Sequence, residues 1–282
     1  MVGGSESPAG RVVKHVTEAT AALLEELPTW VRLVRAPNPG PMTLDGTNSW
    51  VLRAPGARAC VLIDPGPLDE GHLAALAAEA PIAALLVTHG HPDHREGVPR
   101  ILELLGGAVP VLAADDGRLP ETDFERHGLR VTALATPGHT ADSICFLVEA
   151  DGQQAVFTGD TILGRGTTVV AYPDGDLGQY LDSLELLTGL GQLPTLPGHG
   201  PALADCSAAA RFYLDHRLAR LEQVRAARSA GASTAGEVVA HVYADVDKSL
   251  WWAAELSVHA QLAYLEGGQR ESGDPPARLD PP

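Results

Sequence analysis

From Trp30 to Leu196 the chain alternates short apolar runs with turns rich in glycine and proline. Trp30 to Val34, Ser49 to Leu52, Cys60 to Asp64, Ala83 to Val87, Val109 to Ala113 and Leu129 to Ala135 read as strands. Ser143 to Val148 and Gln154 to Thr158 read as a hairpin turning at Asp151-Gly152. Three stretches instead carry apolar residues at helical spacing: Leu68 to Glu79, Arg95 to Leu105 and Leu177 to Leu190. In the second of these the apolar positions are Val98, Ile101, Leu102 and Leu105. At the N-terminus Val13, Val16, Ala19 and Leu23 form one stripe, which predicts an amphipathic helix within an extension spanning residues 1–28. Towards the C-terminus Arg211 to Arg228, Thr234 to Tyr243 and Leu250 to Leu265 read as helices. Residues 268–282, rich in Gly, Pro and charge, read as a disordered tail.

Several strands end in the same way, with a glycine-containing turn followed by a histidine or an aspartate. This happens at Thr88-His-Gly-His-Pro-Asp-His94, at His139, at Asp160 and at His199. The first of these turns holds three histidines and an aspartate within six residues: His89, His91, Asp93 and His94. A lone histidine there would be an ordinary polar loop residue. In extended chain His89, His91 and Asp93 share one side, while His94 enters the following helix and reaches in from another direction. Imidazole and carboxylate at that spacing are metal ligands. Strands that finish at one rim would bring all seven side chains together, the number that two adjacent metals sharing a carboxylate require.

Composition narrows the field. The chain has 282 residues, 45% of them hydrophobic, enough for one large domain or a medium one with an appendage. No apolar run approaches the length of a membrane-spanning helix, so no membrane partner is expected. Met1 to Gly10 lacks the apolar core of a signal peptide, and the expected compartment is the cytoplasm. The three cysteines, Cys60, Cys145 and Cys206, are far apart and read as free thiols, not a disulfide framework. A formal net charge of −16 counts against nonspecific nucleic-acid binding. On Arg211 to Arg228 five arginines face only Asp215 and Glu222, which reads as a solvated helix face, with a nucleic-acid or partner contact as the alternative.

With its H-x-H-x-D-H motif and the later His139, Asp160 and His199 in order, the chain resembles the metallo-β-lactamase superfamily. The resemblance implies an α/β fold, an αββα sandwich of two facing sheets with helices outside. It implies two zinc ions, with manganese or iron as substitutes: one on His89, His91 and His139, the other on Asp93, His94 and His199. Asp160 and a hydroxide would bridge them, and that hydroxide would be the nucleophile. Antibiotic-destroying members commonly place a Cys where this chain has Asp160. A narrower resemblance, carried by Asn38 to Asn48 and Gln179 to Leu184, is to the mitochondrial β-lactamase-like endoribonuclease group. It implies a catalytic domain over residues 29–207 and a small C-terminal helical or winged-helix domain over 208–267.

The leading expectation is a hydrolase of an ester, thioester or similar small acyl substrate. Asp93 would orient the nucleophile while ligating a metal. Asp64 and Thr88 would hold the free N–H groups of ligating histidines. Asn48 and Arg165, in loops expected to border the cleft, would touch substrate. The first rival is a single-strand endoribonuclease acting on short RNA. An iron persulfide dioxygenase needs no second set of ligands, and a non-enzymatic winged-helix protein leaves seven ligands without a purpose. A homodimer is left open.

Overall fold

The computed structural model describes residues 22–107, 109–114 and 124–267. The first sheet contains β1 (Val31–Arg35), β2 (Asn48–Leu52), β3 (Cys60–Ile63), β4 (Ile82–Leu86) and β5 (Val111–Leu112), in that order. Its first three strands are antiparallel; β3, β4 and β5 run parallel. The second sheet contains β6 (Phe124–Arg126), β7 (Leu129–Ala135), β8 (Ile144–Ala150), β9 (Gln153–Gly159) and β10 (Thr195–Pro197), with β10 and β9 parallel and the rest antiparallel.

Every residue of β3 is buried, because both faces of its sheet are covered. Val61 and Ile63 point into the core between the sheets, with Trp50, Leu86, Phe146, Val148 and Phe157. Cys60 and Leu62 point the other way, onto Leu73 and Leu76 of α1 (Glu70–Ala77). Two further helices follow β4, α2 (Pro92–Arg95) and α3 (Val98–Leu104), and Ile101 of α3 joins the same outer core. On the opposite side Cys145 and Val156 pack outward against Tyr180, Leu184 and Leu187 of α4 (Leu177–Thr188). The layers are therefore helix, sheet, sheet, helix. All three cysteines are buried and free.

The single helix expected from Arg95 to Leu105 is broken at Gly97. A side chain there would lie 2.7 Å from Leu73 and 3.0 Å from the Gly66 carbonyl, whose oxygen accepts from Gly97 N. The turn after β3 is thus held against the one after β4. Leu23, the last member of the predicted N-terminal stripe, is exposed and bridges Leu203 instead of sitting on a helix. The rest of that stripe, residues 1–21, and the tail at 268–282 lie outside the described residues.

The expected domain boundary at 207/208 falls inside a helix. Helix α5 (Cys206–Ser229) buries Cys206, Ala209, Ala210 and Tyr213 in the outer core of the second sheet. Its other end places Val224 and Ala227 in a separate small core with α6 (Ala235–Val242) and α7 (Trp251–Glu266). The arginines of α5 divide: Arg211 and Arg228 are exposed as a solvated face requires, whereas Arg217 and Arg220 are only 4% and 6% exposed. Among the described residues no helix is long and apolar enough to cross a membrane.

Candidate metal centre

All seven sequence-predicted donors meet at one rim of the two sheets. His89 and His91 follow β4, and His91 caps α2, whose first residue, Pro92, needs no N–H there. Asp93 and His94 ride on that one-turn helix. His139 lies in the β7–β8 turn, Asp160 directly follows β9 and His199 follows β10. The rims can approach because Gly159 has no side chain: a Cβ there would sit 2.6 Å from Thr88.

Two groups of donor atoms each face a common point. His91 Nδ1 is 3.0 Å from His89 Nε2 and 3.1 Å from His139 Nε2. His199 Nε2 is 3.2 Å from His94 Nε2 and 3.1 Å from Asp93 Oδ2. One proton cannot satisfy three converging ring nitrogens. Ligands at 2.0–2.1 Å from a tetrahedral cation are about 3.3 Å apart, close to these separations. Asp160 stands between the groups, its Oδ1 3.4 Å from His94 Nε2 and its Oδ2 3.7 Å from His139 Nε2 and 3.5 Å from His199 Nε2. It is 8% exposed, and its Oδ1 has no hydrogen-bond partner. Buried orphan oxygens of this kind are rare, and a cation would satisfy this one. The donor set fits a pair of divalent metal ions.

The ring nitrogens that point away from the cluster are held by the chain's own acceptors. His94 Nδ1 donates to Asp64 Oδ2 at 2.8 Å, and Thr88 Oγ1 donates to the same oxygen at 2.7 Å. Thr88 N donates to Asp64 Oδ1 at 2.7 Å, and His89 Nδ1 lies 3.1 Å from Thr88 Oγ1. Asp64 and Thr88, both named from the sequence, are thus brought against His94 and His89. His139 Nδ1 bonds the Val169 carbonyl at 2.8 Å, with Thr168 Oγ1 at 3.2 Å; His199 Nδ1 faces the Gly46 carbonyl at 3.3 Å. Each contact fixes which nitrogen carries the proton and leaves the other free to ligate.

Charge is balanced within the cluster. Burial opposes protonation of His94, yet Asp160 and Asp64 outweigh it and raise its pKa well above the usual value. His199 behaves alike, its pKa pushed up to about 9 chiefly by Asp160 against the effect of burial. His89 and His139 move the other way, lowered first by burial. Burial also opposes ionisation of Asp160 and Asp93, but their histidine neighbours hold both below the usual carboxylate range. The cluster therefore pairs anionic carboxylates with cations that metal ions can replace.

Two of the expected substrate contacts fare differently. Asn48 is fully buried in β2; its amide donates to the carbonyls of Pro197 and Gly200 and accepts from Arg35. It ties the β10 turn to the first sheet and has no atom free for a substrate, which corrects that expectation. Arg165 is half exposed and grips Asp45 with two hydrogen bonds, at 2.6 and 2.8 Å. It directly follows Gly164, whose N–H donates to the carbonyl of His199. Sequence reasoning missed Gly198, where a Cβ would be 2.6 Å from both Asp160 Oδ1 and His94. The glycine was visible in the sequence as a turn former; the crowding was not.

Comparison with known proteins agrees with this geometry. The profile of the metallo-beta-lactamase superfamily matches residues 42–111 and 100–199, and that of the beta-lactamase associated winged helix domain matches 234–270. An atrochrysone carboxyl ACP thioesterase of Aspergillus chevalieri is 37% identical over 240 residues, 78% of this chain and 75% of that protein. The lactamase-like protein adaB of Aspergillus niger is 32% identical, covering 79% and 76%. A metallo-beta-lactamase family protein from Thermus thermophilus shares the fold, with a TM-score of 0.70 at 23% identity over 86% of this chain and 95% of that one. The narrower resemblance to the endoribonuclease group is thereby corrected: these relatives are fungal thioesterase-like proteins, and their names point to neither RNA nor a second copy of the chain.

Proposed function

We propose that this chain, which belongs to the metallo-β-lactamase superfamily, hydrolyses a thioester whose acyl group is presented on a carrier. It is a metal-dependent hydrolase. The observation that carries the reading is the seven-donor cluster, combined with an ACP thioesterase among the relatives. In this reading His89, His91 and His139 would hold one ion and Asp93, His94 and His199 the other, with Asp160 placed between them. Zinc suits the nitrogen-rich donors, and manganese or iron can replace it. A pair of divalent cations held there supplies Lewis acidity towards a carbonyl oxygen and a source of hydroxide near neutral pH.

The chain's own groups do the positioning. Asp93 is the more exposed of the two carboxylates, its side chain 27% accessible against 10% for Asp160. Its carboxylate accepts a hydrogen bond from the attacking water and turns a lone pair towards the acyl carbon. Arg165, at the mouth, meets the polar part of the carrier. A thiolate is a good leaving group, with a thiol pKa of about 8.5, and departs without a proton donor. An RNA alkoxide needs one. The site is therefore complete for a thioester as it stands, and the net charge of −16 also disfavours RNA.

The test is a side-by-side panel on the purified chain loaded with zinc, manganese or iron. It contains acyl thioesters of N-acetylcysteamine, coenzyme A and a carrier protein, matching oxygen esters, and a short single-stranded RNA. Thioester turnover with intact RNA is expected. RNA cleavage with no thioester turnover would overturn the proposal.

A further inference from the structure

Helix α5 buries two guanidinium groups, and among the described residues neither has a carboxylate within 4.0 Å. A buried cation without a counter-ion is costly, so its retention asks for a reason. Arg220 points into the small C-terminal core. It donates to the Val242 carbonyl at 2.8 Å and lies 4.6 Å over the Tyr243 ring. Arg217 sits one turn earlier and has different partners. It lies 5.2 Å over the Tyr180 ring of α4 and donates to the Thr168 carbonyl.

Thr168 and Val169 are the residues that hold His139, through Thr168 Oγ1 and the Val169 carbonyl. The segment leading to them, Leu163-Gly-Arg-Gly-Thr-Thr168, pairs with no strand and contains two glycines. It has little rigidity of its own. At its start Tyr213 of the same helix accepts from Leu163 N at 2.9 Å and donates to Leu163 O at 3.1 Å. Two side chains one helical turn apart on α5 thus pin both ends of the strap that aims His139.

We propose that Arg217 is a positioning residue for the subsite formed by His89, His91 and His139. It acts through the Thr168–Val169 backbone and makes α5, whose far end packs against α6 and α7, part of the metal centre. The inference rests on the metal-binding reading above. The removal of groups that orient a metal's ligands weakens binding by about 10- to 100-fold, and that is the effect expected here on one of two ions.

The experiment strips the full-length chain of metal and titrates zinc back against a chromophoric chelator, for wild type, Arg217→Met and Arg220→Met. Circular dichroism and urea unfolding of the stripped chains check the fold. Arg217→Met should weaken one binding step about 10- to 100-fold and leave the other unchanged. Arg220→Met, which removes an equally buried arginine from the same helix, should leave both steps unchanged. A folded Arg217→Met that binds both ions like wild type overturns the proposal, as does equal weakening in the two variants. Should Arg217→Met fail to fold, Arg217→Lys takes its place. Its shorter, compact ammonium cannot both lie on Tyr180 and reach the Thr168 carbonyl. Weakening of one step then upholds the proposal, and wild-type affinity at both overturns it. A wild-type chain that binds no metal refutes the metal reading and this inference with it.

Discussion

Asp64→Asn offers a sharp test of how this centre is built, because it changes chemistry while sparing the backbone. Asp64 has φ of 52°, a left-handed conformation that asparagine adopts as readily as any non-glycine residue. The side chain is 1% exposed and accepts three hydrogen bonds, two at Oδ2 from His94 and Thr88 and one at Oδ1 from Thr88 N. Asparagine keeps one acceptor oxygen and gains a two-proton donor. If the NH2 takes the Oδ1 position it meets the Thr88 backbone N–H, which cannot turn away. If it takes the Oδ2 position, the Thr88 hydroxyl can rotate to accept, but His94 must present a bare Nδ1. Its proton then moves to Nε2, the atom that faces His199 and would ligate.

The first orientation leaves buried donors face to face, at a cost of about 1–3 kcal/mol. The second puts the proton on the ligating nitrogen. Either way, affinity at the Asp93–His94–His199 subsite should fall about 10- to 100-fold, or roughly 1.4–2.7 kcal/mol. The assay is chelator competition on metal-stripped wild type and Asp64→Asn, followed by thioester turnover at rising metal concentration. Turnover should recover only at metal concentrations raised by the same factor. Both ions bound with wild-type affinity would show that Asp64 is a structural turn residue and that the tautomer of His94 is set elsewhere.

Three further outcomes follow from the same geometry. Asp93→Asn keeps the shape and one oxygen but loses the charge that orients water, so at least one metal should stay while turnover falls roughly 10²-fold or more; near-native rate with both metals present would reduce Asp93 to a plain ligand. Gly198→Ala should lose metal at both subsites, read by elemental analysis, because its Cβ lies 2.6 Å from Asp160 Oδ1 and from His94; full occupancy would mean that the turn relaxes freely. For the metal-stripped chain, the pKa of His199 stands at about 9 against an unfolded value of 6.5, worth on the order of 3 kcal/mol. A raised pKa stabilises the folded form fully below pH 6.5, and that contribution is lost as pH rises through 9. Urea midpoints of the stripped chain should therefore fall between pH 6 and pH 9.5, and a flat profile would contradict the pairing of His199 with Asp160 and Asp93.

The readable part of this chain was the part whose information is local. His89, His91, Asp93 and His94 announce themselves by spacing, and His139, Asp160 and His199 by the repeated strand-then-turn pattern. Asp64 and Thr88 could be named because a ligating histidine hands its free N–H to a carboxylate or hydroxyl, and each closes a strand beside the cluster. Asn48 was misread for the opposite reason. Asparagine beside Thr47 and Gly46 looks like a loop residue, and only the β10 turn, some 150 residues later in sequence, buries it. Arg217 and Arg220 mislead in a similar way, since charge spacing on one helix does not say which faces its neighbours will cover.

That helix also runs across the expected domain boundary. A boundary is legible when composition changes or a flexible linker intervenes, and α5 offers neither across its 24 residues. It begins in the core under the second sheet and ends in the core of the winged-helix segment, with Arg217 and Arg220 turned towards the two halves. A rigid helix shared by two cores transmits displacement of one to the other, since its turns cannot shift independently. A displacement of the small domain would therefore bear on α5, and through Tyr213 and Arg217 on the strap that aims His139. Sequence spacing fixes which side chains can ligate; their aim depends on a contact between residues 168 and 217 that no local pattern encodes.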